Sequence, residues 1–152
     1  MIKMPPAVTF HFLSTCSLGD RQFLKAFILS IFKTEKRSFE KLSIVFCEDH
    51  FLLSLNQQFL RHDYYTDILS FPLSEKKEPL IAEIYISTER VRDNATNLET
   101  SFREELHRVI FHGILHFCGY RDKTPAEKKK MRSLEDSYLA RYFKACRKSR
   151  PS

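Results

Sequence analysis

The chain has 152 residues and a mass of 18.0 kDa, enough for one domain, and its 43% apolar and 29% charged residues are those of a globular protein. Only three glycines are present, and neither G-x-G-x-x-G nor G-x-x-x-x-G-K-[ST] occurs, so no nucleotide cofactor is expected. The net charge of +6 is uneven: residues 121–152 hold eleven Lys and Arg against four Asp and Glu, which reads as a solvated helix face with a solubilising tail or as a contact surface for a polyanion.

Residues 7–12 (AVTFHF) alternate as a strand does. Ser17-Leu-Gly-Asp20 reads as a capping box. It opens a helix carrying Phe23, Phe27, Ile28, Ile31 and Phe32 at helical spacing. Lys41–Cys47 is β-branched and aromatic, a strand. Residues 49–60 carry Leu52, Leu55, Phe59 and Leu60 and read as a helix. Ile68–Phe71 is a short strand stopped by Pro72, Glu75–Pro79 a polar loop, and Leu80–Ile86 the clearest strand of the chain. Two helices finish the protein. Ser101-Phe-Arg-Glu104 caps the first, which carries Leu106, Val109, Ile110, Ile114 and Phe117 and stops at Gly119. Thr124-Pro-Ala-Glu127 caps the second, with Met131, Leu134, Tyr138, Leu139 and Tyr142 inward. These elements, in the order β-α-β-α-β-β-α-α, indicate an α+β fold, with helices packed on one small mixed β-sheet.

No apolar run reaches the roughly 18 residues of a membrane span, so no membrane partner is expected. Cys16, Cys47, Cys118 and Cys146 lie far apart without a C-x-x-C, and the short N-terminal apolar run, broken by His11, does not read as a signal-peptide core. Reduced, mostly buried thiols and a cytoplasmic location are expected.

The informative segment is His112-Gly-Ile-Leu-His116-Phe-Cys-Gly119-Tyr-Arg-Asp122. On a helix, His112 and His116 present their imidazoles one turn apart on one face. Two core histidines bonded to backbone would show the same pair. A metal-binding reading gains from Gly119, which lets the chain reverse, and from Asp122, which can swing back as a third ligand. His107 lies about 140° around the helix and is off that face. The spacing H-x-x-x-H-x-x-G-x-x-[H/D] is shared with metzincin proteases. Their general base directly follows the first His, and here that place is Gly113.

The segment from His112 to Asp122 resembles the signature of the YbeY family of bacterial rRNA maturation factors, H-G-x-L-H-L-x-G-Y-D-H. Leu55–Pro72 is similar to the family's L-N-x-x-Y-R-x-x-D-x-x-T-[DN]-V-L-S-F-P, and Ala82–Ser87 to its G-D-I-x-I-S. The resemblance implies a zinc-dependent single-strand endoribonuclease in rRNA maturation and ribosome quality control, with rRNA and ribosomal particles as partners. It also implies a metal cleft between helix and sheet. One Zn2+ is expected on His112, His116 and Asp122, lowering the pKa of a bound water, within one metal-dependent hydrolase domain over 1–146 and ahead of a basic tail, 147–152.

Two positions depart from the family pattern. The third ligand is Asp122 where the family usually has His. The family's arginine falls on Leu60, with Arg61 one residue later. Arg61 is the candidate catalytic residue, stabilising charge on the reacting phosphate, or else a surface arginine. His62 reads as an exposed loop residue. Asp63, Thr66 and Asp67 are expected to organise a turn and orient ligands, and Ser70 and Glu83 to support the ligands from behind. The competing readings are a ribosome- or RNA-binding assembly factor with a structural metal, and a small metallopeptidase.

Overall fold

The computed structural model describes residues 4–149, in the order β1(Ala7–Phe12), α1(Arg21–Thr34), β2(Phe39–Cys47), α2(Asp49–Leu60), β3(Ile68–Pro72), β4(Leu80–Ser87), α3(Thr88–Asn97), α4(Phe102–Phe117) and α5(Pro125–Ser149). The four strands form one mixed sheet ordered β1-β2-β4-β3. β1 and β4 both run parallel to β2, and β3 pairs antiparallel with β4. Pro72 is accommodated because β3 is an edge strand with one ladder to serve.

Alternation along the strands decides which face meets which helices. Leu42, Ile44 and Phe46 of β2 and Ala82, Ile84 and Ile86 of β4 enter the main core with α1, α4 and α5. That core is aromatic at its centre: Tyr142 is fully buried, with Phe27 5.0 Å and Phe23 5.5 Å from it between ring centroids. The opposite face carries a smaller cluster, in which Cys47, Leu52 and Leu69 pack with Leu55, Phe71 and Tyr85 under α2. None of the four cysteines forms a disulfide. No helix among the described residues is long and apolar enough to cross a membrane.

Three local expectations change. α1 is capped by Asp20 itself, whose Oδ1 accepts from the Phe23 amide at 3.0 Å, so the Ser17–Asp20 box does not form. Gly19, at φ +74°, takes a backbone turn that would oppose the extra helical turn such a box requires. Thr88–Asn97, for which no periodicity was read, is a helix opened by Ser87, whose hydroxyl accepts from the Arg90 amide. Residues 147–149 continue α5 rather than forming a tail, and 150–152 lie outside the described residues.

Candidate metal centre

α4 holds the two histidines, and its termination delivers the aspartate. Its N-terminus is capped by Ser101, whose hydroxyl accepts from the Glu104 amide. At its C-terminus the Gly119 amide donates to the His116 carbonyl and the Tyr120 amide to the Leu115 carbonyl, at 3.0 and 3.1 Å. This doubled closure is a Schellman motif, and it needs a left-handed residue, supplied by Gly119 at φ +103°. The chain then folds back. Glu35, at the C-cap of α1, clamps the return by accepting from the hydroxyls of Tyr120 (2.7 Å) and Tyr138. Arg37 donates to the Phe117 carbonyl at 3.2 Å. α5 starts at once under a complete capping box: Thr124 Oγ1 accepts from the Glu127 amide, and Glu127 Oε1 accepts from the Thr124 amide.

The three side chains meet. His112 Nε2 and His116 Nε2 are 3.0 Å apart, and Asp122 Oδ2 lies 3.3 and 3.5 Å from them. A tetrahedral ion about 2.0–2.1 Å from each donor spaces its ligands about 3.3–3.4 Å apart, so the three atoms match the edges of one such site. The hydrogen bonds of the other ring nitrogens explain why Nε2 is the available atom. His116 Nδ1 donates to the Tyr120 carbonyl at 2.9 Å, and His112 Nδ1 to Glu135 Oε2 at 2.6 Å. Both Nε2 atoms then present lone pairs toward each other and toward a carboxylate oxygen. A bound cation relieves that arrangement, so the donor set can hold a metal ion.

A cleft of about 410 Å³ opens beside the centre, and Asp67, Asn94, Glu105, Arg108, Lys128 and Arg132 are among its lining residues. His112 and Asp122 line it as well. Burial alone would lower the His112 pKa, but the hydrogen bond and charge of Glu135, with Asp122 and Asp67, outweigh it and raise the value. Burial raises the pKa of Asp67 against the pull of His112, and burial likewise raises that of Glu105. Cys118, close in sequence to His116, has its thiol pushed up to about 12 by burial and then by Glu35, which leaves it a poor ligand.

Residues of the second motif divide. Asp67 reaches the cleft, with its backbone carbonyl accepting from Ser87 and its Oδ2 from Asn94 at 3.4 Å. Asn56 donates to the Tyr64 carbonyl at 2.9 Å, which ties the loop before β3 to α2. Asp63 accepts from Gln57 at 2.6 Å, and Thr66 donates to the Ile68 carbonyl at 3.4 Å. His62 is exposed and stacks on Tyr64, with ring centroids 5.1 Å apart. Arg61 is the left-handed C-cap of α2 at φ 56°; it is exposed and is not among the residues lining the cleft.

Glu83 lies in a second hollow with Leu55, Phe59, Phe71, Leu73 and Tyr85, under α2, and accepts from the Tyr85 hydroxyl. It therefore does not back the ligands: in β4 it alternates with Ala82 and Ile84, which take the helix side. Ser70 pairs with Ile84 in the ladder, and no side-chain hydrogen bond ties it to the centre. Gly113 faces the sheet so closely that a Cβ there would stand 2.8 Å from Ile68 Cδ1 and 3.1 Å from Ile84 Cδ1. The place where a metzincin carries its base is thus buried against aliphatic side chains. His107 is a core residue: fully buried, donating to the Arg103 carbonyl at 2.7 Å and stacked 4.9 Å from Tyr142.

The sequence reading missed Glu135 and Arg108. Glu135 is 5% exposed and stands on the apolar stripe of α5 between Met131 and Tyr138. An acidic residue in register with that stripe was the available signal.

A family model described as endoribonuclease YbeY matches residues 18–143. A Cytophaga hutchinsonii protein named endoribonuclease YbeY is 46% identical over 123 residues, covering 81% of this chain and 86% of the relative. A Flavobacterium psychrophilum protein of the same name is 46% identical over 132 residues, 87% and 94% of the two chains. A Thermotoga maritima protein whose structure was determined in solution superposes with a TM-score of 0.60 at 26% identity, covering 91% of this chain and 92% of that one.

Proposed function

Because this chain belongs to the endoribonuclease YbeY family, we propose that it cleaves single-stranded RNA in rRNA maturation with one zinc ion held by His112, His116 and Asp122. The observation that carries the reading is the convergence of those three ligand atoms, 3.0 to 3.5 Å apart, at the wall of an open cleft. Bound there, the ion would supply a Lewis acid and acidify a coordinated water. The chain's own residues do the rest. The Gly119 reversal and the Glu35 clamp hold Asp122 against the histidine face. Lys128 and Arg132, on the cleft lining near the start of α5, place positive charge where a phosphodiester backbone would enter. Arg61, exposed at the end of α2, contacts the RNA backbone outside the cleft in this reading. Ribosomal particles are the proposed partner and the cytoplasm the proposed location, with one hydrolase domain spanning residues 1–146.

The assembly-factor reading requires a closed site, and the cleft beside His112 and Asp122 favours an open one. The peptidase reading lacks its base at Gly113. Incubating zinc-loaded protein with single-stranded RNA and with casein separates the three. RNA cleavage that stops with a chelator and with His116→Ala, and no proteolysis, is the expected result. Intact RNA would leave the structural-metal reading.

Salt dependence tests the cleft's basic rim. Replacing Lys128 and Arg132 together by Ala should shallow the slope of log affinity against log salt by about 1.4, near 0.7 for each lost phosphate contact. Metal content should stay the same. An unchanged slope would assign these side chains to a merely solvated helix face.

A further inference from the structure

We propose that Glu135 is a positioning residue for the metal centre, fixing the tautomer of His112 while holding Arg108 at the cleft wall, and so setting the affinity for the ion. The inference rests on the metal reading above.

The geometry is that of a two-ended acceptor. Glu135 Oε2 accepts from His112 Nδ1 at 2.6 Å and Oε1 from Arg108 Nη1 at 3.2 Å. Arg108 is held from its other side, with Nη2 2.8 Å from Asp136 Oδ1. Both groups facing Glu135 are donors, so both of its oxygens must be acceptors, a requirement met by carboxylates but not by amides. The residue comes from α5, outside the segment that bears the ligands, and it is buried beside Met131 and Tyr138. An apolar side chain would pack there without the desolvation cost of a charge. What the charge gives in return is orientation: with Nδ1–H directed at Glu135, the His112 lone pair is confined to Nε2, 3.0 Å from His116 Nε2.

The two histidines are also unequal. His116 donates to a neutral carbonyl, that of Tyr120, whereas His112 donates to a carboxylate. A charged acceptor makes the stronger hydrogen bond and the more basic opposite nitrogen. His112 is therefore the ligand whose strength depends on a distant part of the chain. The same carboxylate fixes Arg108, so one residue links the ion's seat to a cation lining the substrate cleft.

The test uses zinc alone, titrated against a chelating dye, with the parent, Glu135→Gln and Glu135→Met. Gln keeps the volume but offers one acceptor to two donors, and Met keeps the packing and offers none. Zinc affinity should fall about 10- to 100-fold in Gln and at least as far in Met. Imidazole 15N spectra of the metal-free parent at mildly alkaline pH should show His112 protonated at Nδ1 and bare at Nε2. Glu135→Met should shift His112 toward the Nε2–H form. A purely structural glutamate would lower thermal stability without moving the tautomer or the affinity. Affinities within about threefold of the parent, with the tautomer unchanged, overturn the proposal. If neither variant folds, the parent spectrum decides alone, because protonation at Nε2 there contradicts the assigned role. A parent that takes up no zinc would overturn the metal reading itself, a distinct outcome.

Discussion

On the proposed zinc reading, Asp122→His is expected to keep the metal, whereas Asp122→Ala, Asp122→Asn and His116→Ala are expected to lose it. The expectation follows from three converging atoms, of which Asp122 Oδ2 is 3.3 and 3.5 Å from the two Nε2 atoms. Removing a direct ligand should weaken zinc binding by more than the roughly 100-fold that loss of an outer hydrogen-bonding partner can cause. Asn retains the shape of Asp122 but loses the charge that binds a cation. His supplies a nitrogen that zinc accepts equally well. A competing role for Asp122, capping the last helix, finds no support: Thr124 and Glu127 form that cap between themselves. Chelating-dye competition and elemental analysis measure the series. Parent-like zinc binding by Asp122→Asn, together with loss in Asp122→His, would remove Asp122 from the ligand set. RNA cleavage should follow metal content through all four variants.

His107→Phe flattens the dependence of stability on acid. Burial pushes the His107 pKa down to about 4 from an ordinary 6.5. Its Nε2 is buried without a partner, so a proton there would be both charged and unsatisfied. A histidine with a depressed folded pKa binds fewer protons folded than unfolded. Its stabilisation is complete above about pH 6.5 and is lost as the pH falls toward about 4. Between about pH 7 and about pH 5 that loss is a little under about 2 kcal/mol, roughly twentyfold in the folding equilibrium. Phe fits the same stack on Tyr142, with Phe111 and Phe143 edge-on. Denaturant unfolding of parent and variant at the two pH values gives the difference. Asp67 and Glu105, whose pKa values are raised by burial, act in the opposite direction, but they are common to both proteins and cancel. Parallel stability curves would show that His107 takes up its proton in the folded state as readily as in the unfolded one.

Much of the fold was legible because its signals are local. β1 and α2 occupy the spans their patterns mark, and β3 and β4 run one residue beyond theirs, since alternation and helical spacing directly report which face is buried. The Thr124–Glu127 box was readable because its partners lie three residues apart. Ser17–Asp20 had the same outward form and failed. Gly19 within it takes a positive φ, and a four-letter pattern does not reveal how the chain enters a helix. α3 escaped notice because its buried stripe is thin: Thr88, Val91 and Ala95 stand at helical spacing, but only two of the three are apolar and the other seven residues are polar.

The same division runs through the site. Sequence alone determined that His112 and His116 share a helix face, that Gly119 ends the helix, and that Asp122 is within reach of a return. Each of these is set by backbone geometry within the eleven residues from His112 to Asp122. Tertiary structure decided which groups support them, because those contacts are made by residues far apart in the chain. Glu135 reaches His112 from 23 residues away and Glu35 reaches Tyr120 from 85 residues away, separations that no periodicity encodes. It also decided that Glu83 faces the wrong side of the sheet, and that Lys128 and Arg132, rather than Arg61, line the cleft. Side-chain direction in a packed layer depends on which neighbour covers each face, and that is fixed only when sheet and helices come together.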